Sequence, residues 1–458
     1  MHNVPDEPVE PEGLPADEAD FLFSGLKSFS RLALAVSGGA DSLGLLVLFS
    51  EWRERVSWQG DAEVLCVDHG LRPESAAEAE FVAGAAAEHG LSCRILRWTG
   101  EKPASNIQDE ARRARYRLFA DHMAQSGAEA LVLAHHMDDQ AETFLDRLTR
   151  GSGLSGLSAM AADEPHGPQG LRLLRPFLNL RKERLEASLR ERGLSWCLDP
   201  SNQDPKYKRS RLRKITSLLA EEGLTPERIA RTADHLRRAR EALEATVRDL
   251  AARHVAEHAA GPLRMSREAY AGIAEDLRLR LLNHVVGRVT GVHPRIRFQK
   301  LQALDAALIR EPSCRHTLAG ALIEVDAGRI HIWREAGRAP PETLVITTEA
   351  GIWDNRYGYS LSRGPLPQET DAGLLIGPLC NAPVPAKQIR WPEGWPKEAF
   401  ACSPAVWSRD GVLVASCVPV EQLSVSNDDS IQLDLERLPI QAKLTATFVD
   451  DGDTDGGI

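Results

Sequence analysis

A chain of 458 residues with 43% apolar side chains has room for two or three domains and the make-up of an ordinary soluble globular protein. No run approaches the ~18–20 apolar residues of a membrane helix, the acidic, Pro-rich start lacks the basic region of a signal peptide, and seven scattered cysteines without a C-x-x-C argue against a disulfide scaffold or zinc site and for a cytoplasmic location. The net charge of −11 is equalled by the seven acids of residues 1–20 together with Asp450, Asp451, Asp453 and Asp455, so residues 21–449 balance at zero and can carry a basic face.

Residues 1–20 and 449–458 read as disordered acidic tails. Leu32-Ala33-Leu34-Ala35-Val36 is an apolar run of the kind that forms a buried parallel strand, and Leu-rich residues 41–56 follow as a helix. Further strands are predicted at 63–68, 92–97 and 130–134, and helices at 75–90, 106–126 and 139–149. This alternation makes an α/β fold, a parallel sheet with helices on both faces. Gly151 to Gly170 is rich in Gly, Ser and Pro and reads as a mobile segment. Lys206, Lys208, Arg209, Arg211, Arg213 and Lys214 then place six cations within nine residues. Thr225-Pro226-Glu227, an N-cap followed by Pro at the first helical position, opens a long helix to about His254. Residues 266–310 continue helically, and short β-like runs follow. The expected organisation is an α/β domain over 21–215, a mostly helical domain over 216–315 and a β-rich domain over 316–448.

Ligands of parallel sheets sit at the carboxyl ends of the strands. Three clusters begin where a predicted strand ends. The first is Ser37-Gly38-Gly39-Ala40-Asp41-Ser42. Its glycines let backbone approach a phosphate, and the N–H groups and dipole of the following helix favour the anion. The loop has no Lys, so it is not the Walker type. The carboxylate of Asp41 needs a cation between itself and a phosphate, and Mg²⁺ suits that role. The second cluster, Asp68 and His69 with Arg72 beyond, lies where a ribose or base would sit; Asp68 as a plain turn cap is the other reading. The third is His135-His136-Met137-Asp138-Asp139-Gln140. Adjacent histidines at a strand end point to opposite sides, which argues against zinc. Asp138 and Asp139 can instead attract a cationic amine and help deprotonate it, with one of them capping the helix at 139. Arg112 and Arg115 share a helix face and can clamp a phosphate, as can Arg150. The run Lys206–Lys214 reads as a nucleic-acid patch.

The S-G-G-x-D-S loop resembles the signature of the PP-loop ATP pyrophosphatases. Taken with Val67-Asp68-His69-Gly70-Leu71-Arg72, His135-His136-Met137-Asp138-Asp139-Gln140-Ala141-Glu142-Thr143, Arg150-Gly151-Ser152-Gly153-Leu154-Ser155-Gly156-Leu157 and Asp199-Pro200-Ser201-Asn202, residues 30–215 resemble the tRNA(Ile)-lysidine synthase family. Where that family usually has Arg-Asn, this chain has Arg209-Ser210. The resemblance implies an ATP-binding catalytic domain over 21–215 that uses ATP and Mg²⁺. It implies an isoleucine tRNA with a CAU anticodon and free lysine as partners, and a lysine-for-AMP exchange on the wobble cytidine. On this reading Ser37, Gly38, Gly39, Ala40, Asp41, Ser42, Asp68 and His69 bind ATP, with Asp41 on the metal. Asp41, Asp138, Asp139, Arg112 and Arg115 act in catalysis. His135, Asp138, Arg150, Lys206, Lys208, Arg209, Arg211 and Arg213 bind substrate, and 216–315 binds tRNA. Another PP-loop enzyme, such as a tRNA thiolase or an amide-forming ligase, and a nucleotide- and tRNA-binding module without turnover remain open, as does pairing into a homodimer.

Overall fold

The first apolar run becomes the centre of a six-stranded sheet. The structure, a computed structural model, describes residues 11–100, 102–103, 105–197, 208–292, 296–326, 328–337, 340–363, 373–420 and 432–438. The chain forms two compact units that divide between residues 238 and 239.

In the first unit the elements run α1 (Ala16–Phe23), β1 (Arg31–Ala35), α2 (Ala40–Arg55), β2 (Asp61–Asp68), α3 (Ser75–Glu88), β3 (Ser92–Arg97), α4 (Ile107–Ser126), β4 (Ala130–Val132), α5 (Met137–Thr149), α6 (Leu154–Leu157), β5 (Asp163–Glu164), β6 (Leu173–Leu174), α7 (Lys182–Glu191), α8 (Lys208–Glu221) and the start of α9 (Pro226–His254). The sheet order is β3-β2-β1-β4-β6-β5, parallel except for the last pair. Leu32, Ala33 and Leu34 are fully buried because β1 is covered on both faces. Phe23, Phe49, Trp52 and Phe177 pack ring against ring on one face, and Tyr116, Phe119 and Met123 of α4 cover the other. β1 lies between β2 and β4, so the chain order reverses there, which is where such sheets open a crevice at their carboxyl ends.

Three expectations change. Residues 11–20 are not a tail. Leu14 and Ala19 are buried, the Gly13 and Leu14 N–H groups donate to Glu191 and Ser188, and Glu18 pairs with Arg184, so this acidic stretch lies on α7. The Gly-rich segment after α5 is pinned rather than loose: Gln140 exchanges two hydrogen bonds with the Met160 backbone, and Arg147 donates to the Gly156 and Ala159 carbonyls. The predicted boundary at 315/316 crosses a single core. In the second unit β7 (Val255–Glu257), β8 (Leu263–Ser266), α10 (Arg267–Ala271), α11 (Glu275–Thr290), α12 (Phe298–Arg310), β9 (Cys314–Leu318), β10 (Ala321–Asp326) and β11 (Arg329–Arg334) form a sheet of order β7-β8-β11-β10-β9. Leu281, Leu282, Val286, Leu301 and Leu308 of its helices pack on Ile323, Ile330 and Ile332 of its strands.

Two smaller antiparallel sheets complete this unit. One has the order β12-β15-β16-β17, from β12 (Leu344–Val345), β15 (Leu374–Pro378), β16 (Pro404–Ser408) and β17 (Leu413–Ser416). The other has the order β13-β14-β18, from β13 (Ala350–Trp353), β14 (Tyr357–Arg363) and β18 (Gln432–Arg437). Among the described residues no helix is long and apolar enough to cross a membrane.

Candidate active site

The loop after β1 is held by its own serines. The Ser37 N–H donates to Ser42 Oγ (3.1 Å), and the Ser42 hydroxyl donates to the Gly39 carbonyl (3.1 Å). Gly38 has φ +86°, and a Cβ there would stand 3.3 Å from both Cys197 Sγ and Val82 Cγ2; glycine is needed for conformation and for space. Gly39, the N-cap of α2, meets nothing on its open side and has no side-chain cap, so the N–H groups of the first turn face outward, available to an anion.

The N-termini of α2, α5 and α7 meet around one buried imidazole. His136 Nε2 lies 3.5 Å from Asp41 Oδ2 and 3.4 Å from Asp139 Oδ2, and Nδ1 lies 3.5 Å from Asp138 Oδ2. Burial alone would push this imidazole down, but Asp138, Asp41 and Asp139 outweigh it and hold His136 up at about 10. His136 is therefore a cation at neutral pH. It is also the N-cap of α5, with its N–H donating to Asp139 Oδ2 (3.2 Å); the cap expected at Asp138 or Asp139 sits at the histidine because α5 starts two residues earlier than its pattern suggests. Asp138 ties α5 to α7: Oδ2 accepts the Lys182 N–H (2.9 Å) and Oδ1 pairs with Arg181 (3.3 Å). Burial would raise the Asp138 carboxyl, but His136, the Lys182 N–H and Arg181 bring it down to about 2. Lys182 Nζ lies 3.8 Å from Asp41 Oδ2.

Asp41 Oδ1 is buried and accepts no hydrogen bond. A carboxylate oxygen left in that state is costly without a cation. Mg²⁺ is held by one or two carboxylates plus phosphate oxygens and water, so this donor beside a phosphate-type loop fits it.

Further along α5, Glu142 is buried and its Oε1 takes the Arg213 guanidinium at 2.5 Å. Burial works against the Arg213 charge, yet Glu142, Asp139 and Asp41 raise its pKa. Sequence reading assigns Arg213 to a tRNA patch; its partly exposed side chain also pairs with Glu142, because α8 packs Leu212 against Ala141, Phe144 and Leu145 of α5 and carries Arg213 to the acidic helix face. Arg211 is exposed and Ser210 is buried. Lys206 lies outside the described residues, as do the side chains of Lys208 and Arg209.

At the end of β2, Asp68 Oδ1 accepts the Gly70 N–H (2.9 Å) and the Ser75 hydroxyl (2.5 Å), the turn-cap role. His69 Nε2 meets Arg115 at 3.3 Å and its ring stands edge-on to Trp98. Burial, with Arg115 and Lys102 nearby, pushes His69 down to about 4, so it is neutral at pH 7. Arg112 lies over the Tyr116 ring. His135 points away from His136, accepting from the buried Arg175 (3.3 Å). Arg150 pairs with buried Asp146 (3.1 Å) at the carboxyl end of α5, about 18 Å along the helix from Asp138, so it is not brought to this cluster. Burial raises every cysteine thiol, Cys66 and Cys402 to about 12.

Sequence reasoning missed His136, Glu142, Arg181 and Lys182 as site residues. Glu142 had a signal, standing four after Asp138 and three after Asp139 on one helix face. So did Arg181-Lys182, a basic pair where a helix starts, against the preference of the dipole.

A PP-loop domain family matches residues 16–219. The chain is 41% identical over 347 residues to a tRNA(Ile)-lysidine synthase of Bradyrhizobium sp. (strain BTAi1), covering 71% of this chain and 95% of that one. A tRNA(Ile)-lysidine synthase of Rhodopseudomonas palustris is 41% identical over 333 residues (70% and 95%), and one of Ruegeria pomeroyi 38% over 396 residues (84% and 88%).

Proposed function

Because the chain belongs to the tRNA(Ile)-lysidine synthase family, we propose that its two clusters of ionisable groups divide an ATP-dependent ligation between them, one activating an isoleucine tRNA and the other delivering lysine. The observation that carries this reading is the buried His136, within 3.5 Å of the nucleotide-loop carboxylate Asp41 and of both Asp138 and Asp139.

In the first step the C2 oxygen of the wobble cytidine of a CAU-anticodon tRNA attacks the α-phosphorus of ATP, and pyrophosphate leaves. Ser37 to Ser42 and the first-turn N–H groups of α2 receive the charge that grows on the leaving oxygens, and fixed donors of this kind typically lower such barriers by a few kcal/mol. Asp41 would hold Mg²⁺ through Oδ1, and that ion would supply further neutralisation of the phosphates. His69, neutral and flanked by Trp98, suits a ribose or base contact, and Arg112 and Arg115 suit the α-phosphate.

In the second step the amine of lysine displaces AMP. Only the neutral amine attacks, so its proton must first leave. Asp139 and Glu142 are assigned to the ammonium groups, and Asp138, held by His136, Arg181 and the Lys182 N–H, positions the head of α5. Arg211 and the basic run before it are assigned to tRNA phosphates.

The test is pyrophosphate release from ATP and Mg²⁺, with and without unmodified tRNA and with lysine added or omitted. Release that needs the tRNA, with lysidine formed only when lysine is present, supports the reading. Release indifferent to tRNA sends the search to another acceptor.

A further inference from the structure

We propose that Glu311, Cys314 and His316 of the second unit form a divalent-metal site of the zinc type. The Glu311 carboxylate, the Cys314 thiol and a His316 ring nitrogen come within 4.8 Å of one another. A tetrahedral zinc ion with bonds of about 2.0–2.3 Å needs its ligands about 3.5 Å apart, about 1 Å closer than the widest separation here.

The local fold explains the convergence. Glu311 ends α12, with its N–H bonded to the Ala307 carbonyl (2.9 Å). Three residues later the chain enters β9, the edge strand, where Cys314 and His316 stand two apart and so share a sheet face. Their partners across the ladder, Val325 and Ile323, are buried beneath the helices, while the edge itself opens to solvent. The three donors thus lie where the end of α12 meets the sheet edge. Thiolate, imidazole and carboxylate together select zinc over magnesium or calcium, and the fourth position is open to water.

Bound metal would clip α12 to β9 and cover part of an exposed strand edge.

The experiment is titration of the chelator-stripped full chain with Co²⁺, followed by displacement with Zn²⁺. We expect one Co²⁺ per chain with a thiolate-to-cobalt charge-transfer band. Cys314→Ser is expected to abolish the band while Cys380→Ser, at the exposed cysteine, keeps it. His316→Ala and Glu311→Gln are expected to weaken binding at least about tenfold, the loss that even a supporting partner of a zinc site brings. A band that survives in Cys314→Ser, or no band in the parent chain, overturns the proposal. If Cys314→Ser fails to fold, Glu311→Gln and His316→Ala decide it, since binding unchanged in both also overturns it.

Discussion

His136 Nε2 stands 3.5 Å from Asp41 Oδ2, so the head of α5 and the nucleotide loop share one proton-bearing ring. Replacing His136 with Ala leaves three neighbouring carboxylates without the cation between them. A buried charge network broken on one side typically loses about 3 kcal/mol. We expect a loss of that order by denaturant titration and a fall in pyrophosphate release of more than a hundredfold. Wild-type release by a folded His136→Ala variant would remove His136 from the site.

Asp41→Asn keeps the shape of the loop and removes the charge at Oδ1. Pyrophosphate release is expected to fall about a hundredfold or more, with the residual activity no longer rising with Mg²⁺. A variant that responds to Mg²⁺ as the parent does would place the cation elsewhere.

The two arginines of α8 separate by role. Arg213→Ala removes the guanidinium paired with the buried Glu142, with an expected cost of about 1–3 kcal/mol in stability, while the salt dependence of tRNA binding stays as it was. Arg211→Ala is expected to leave stability within about 0.5 kcal/mol and to reduce the slope of log affinity against log salt by about 1. Salt titrations of both variants check this, and the reverse pattern would return Arg213 to the RNA surface.

His136 offers a pH readout. Burial disfavours its charge, but Asp138, Asp41 and Asp139 raise it to about 10. The stability this contributes is complete below the unfolded value near 6.5 and is lost as pH rises through about 10. Imidazole NMR of the metal-free protein should show a ring still charged at pH 8. Mg²⁺ with a non-hydrolysable ATP analogue should bring its midpoint down, because a cation on Asp41 weakens the pull on the ring. A midpoint indifferent to Mg²⁺ would argue against metal at Asp41.

The alternating pattern of the first 150 residues was readable because the central strands β1 and β4 are short, buried apolar runs and the stretches between the strands are long enough for helices. The predicted strands at 32–36, 63–68, 92–97 and 130–134 and the four helices between and after them lie within a few residues of β1 to β4 and α2 to α5. The loop 37–42 was equally plain, since its glycines and Asp41 act through local backbone. What stayed hidden depends on contacts far apart in sequence. His136 owes part of its charge to Asp41, which lies 95 positions away in sequence and folds beside it. Arg213 looks like any member of a basic run until α8 packs on α5. β5 and β6, two residues each, are too short to show a period. Residues 11–20 look unfolded by composition, yet Glu18 pairs with Arg184 of α7, Asp20 pairs with Arg55 of α2, and the Leu14 N–H donates to Ser188.

That last arrangement makes the beginning of the chain a splint for chemistry carried out much later in it. Leu14 and Glu18 hold α7 from behind, and the front of α7 presents Lys182 to Asp41. A preparation shortened to residue 21 to remove an apparently idle acidic leader would loosen α7, let its first turn drift from the nucleotide loop, and give a folded but sluggish enzyme whose fault would be sought at Asp41, Asp138 and Asp139.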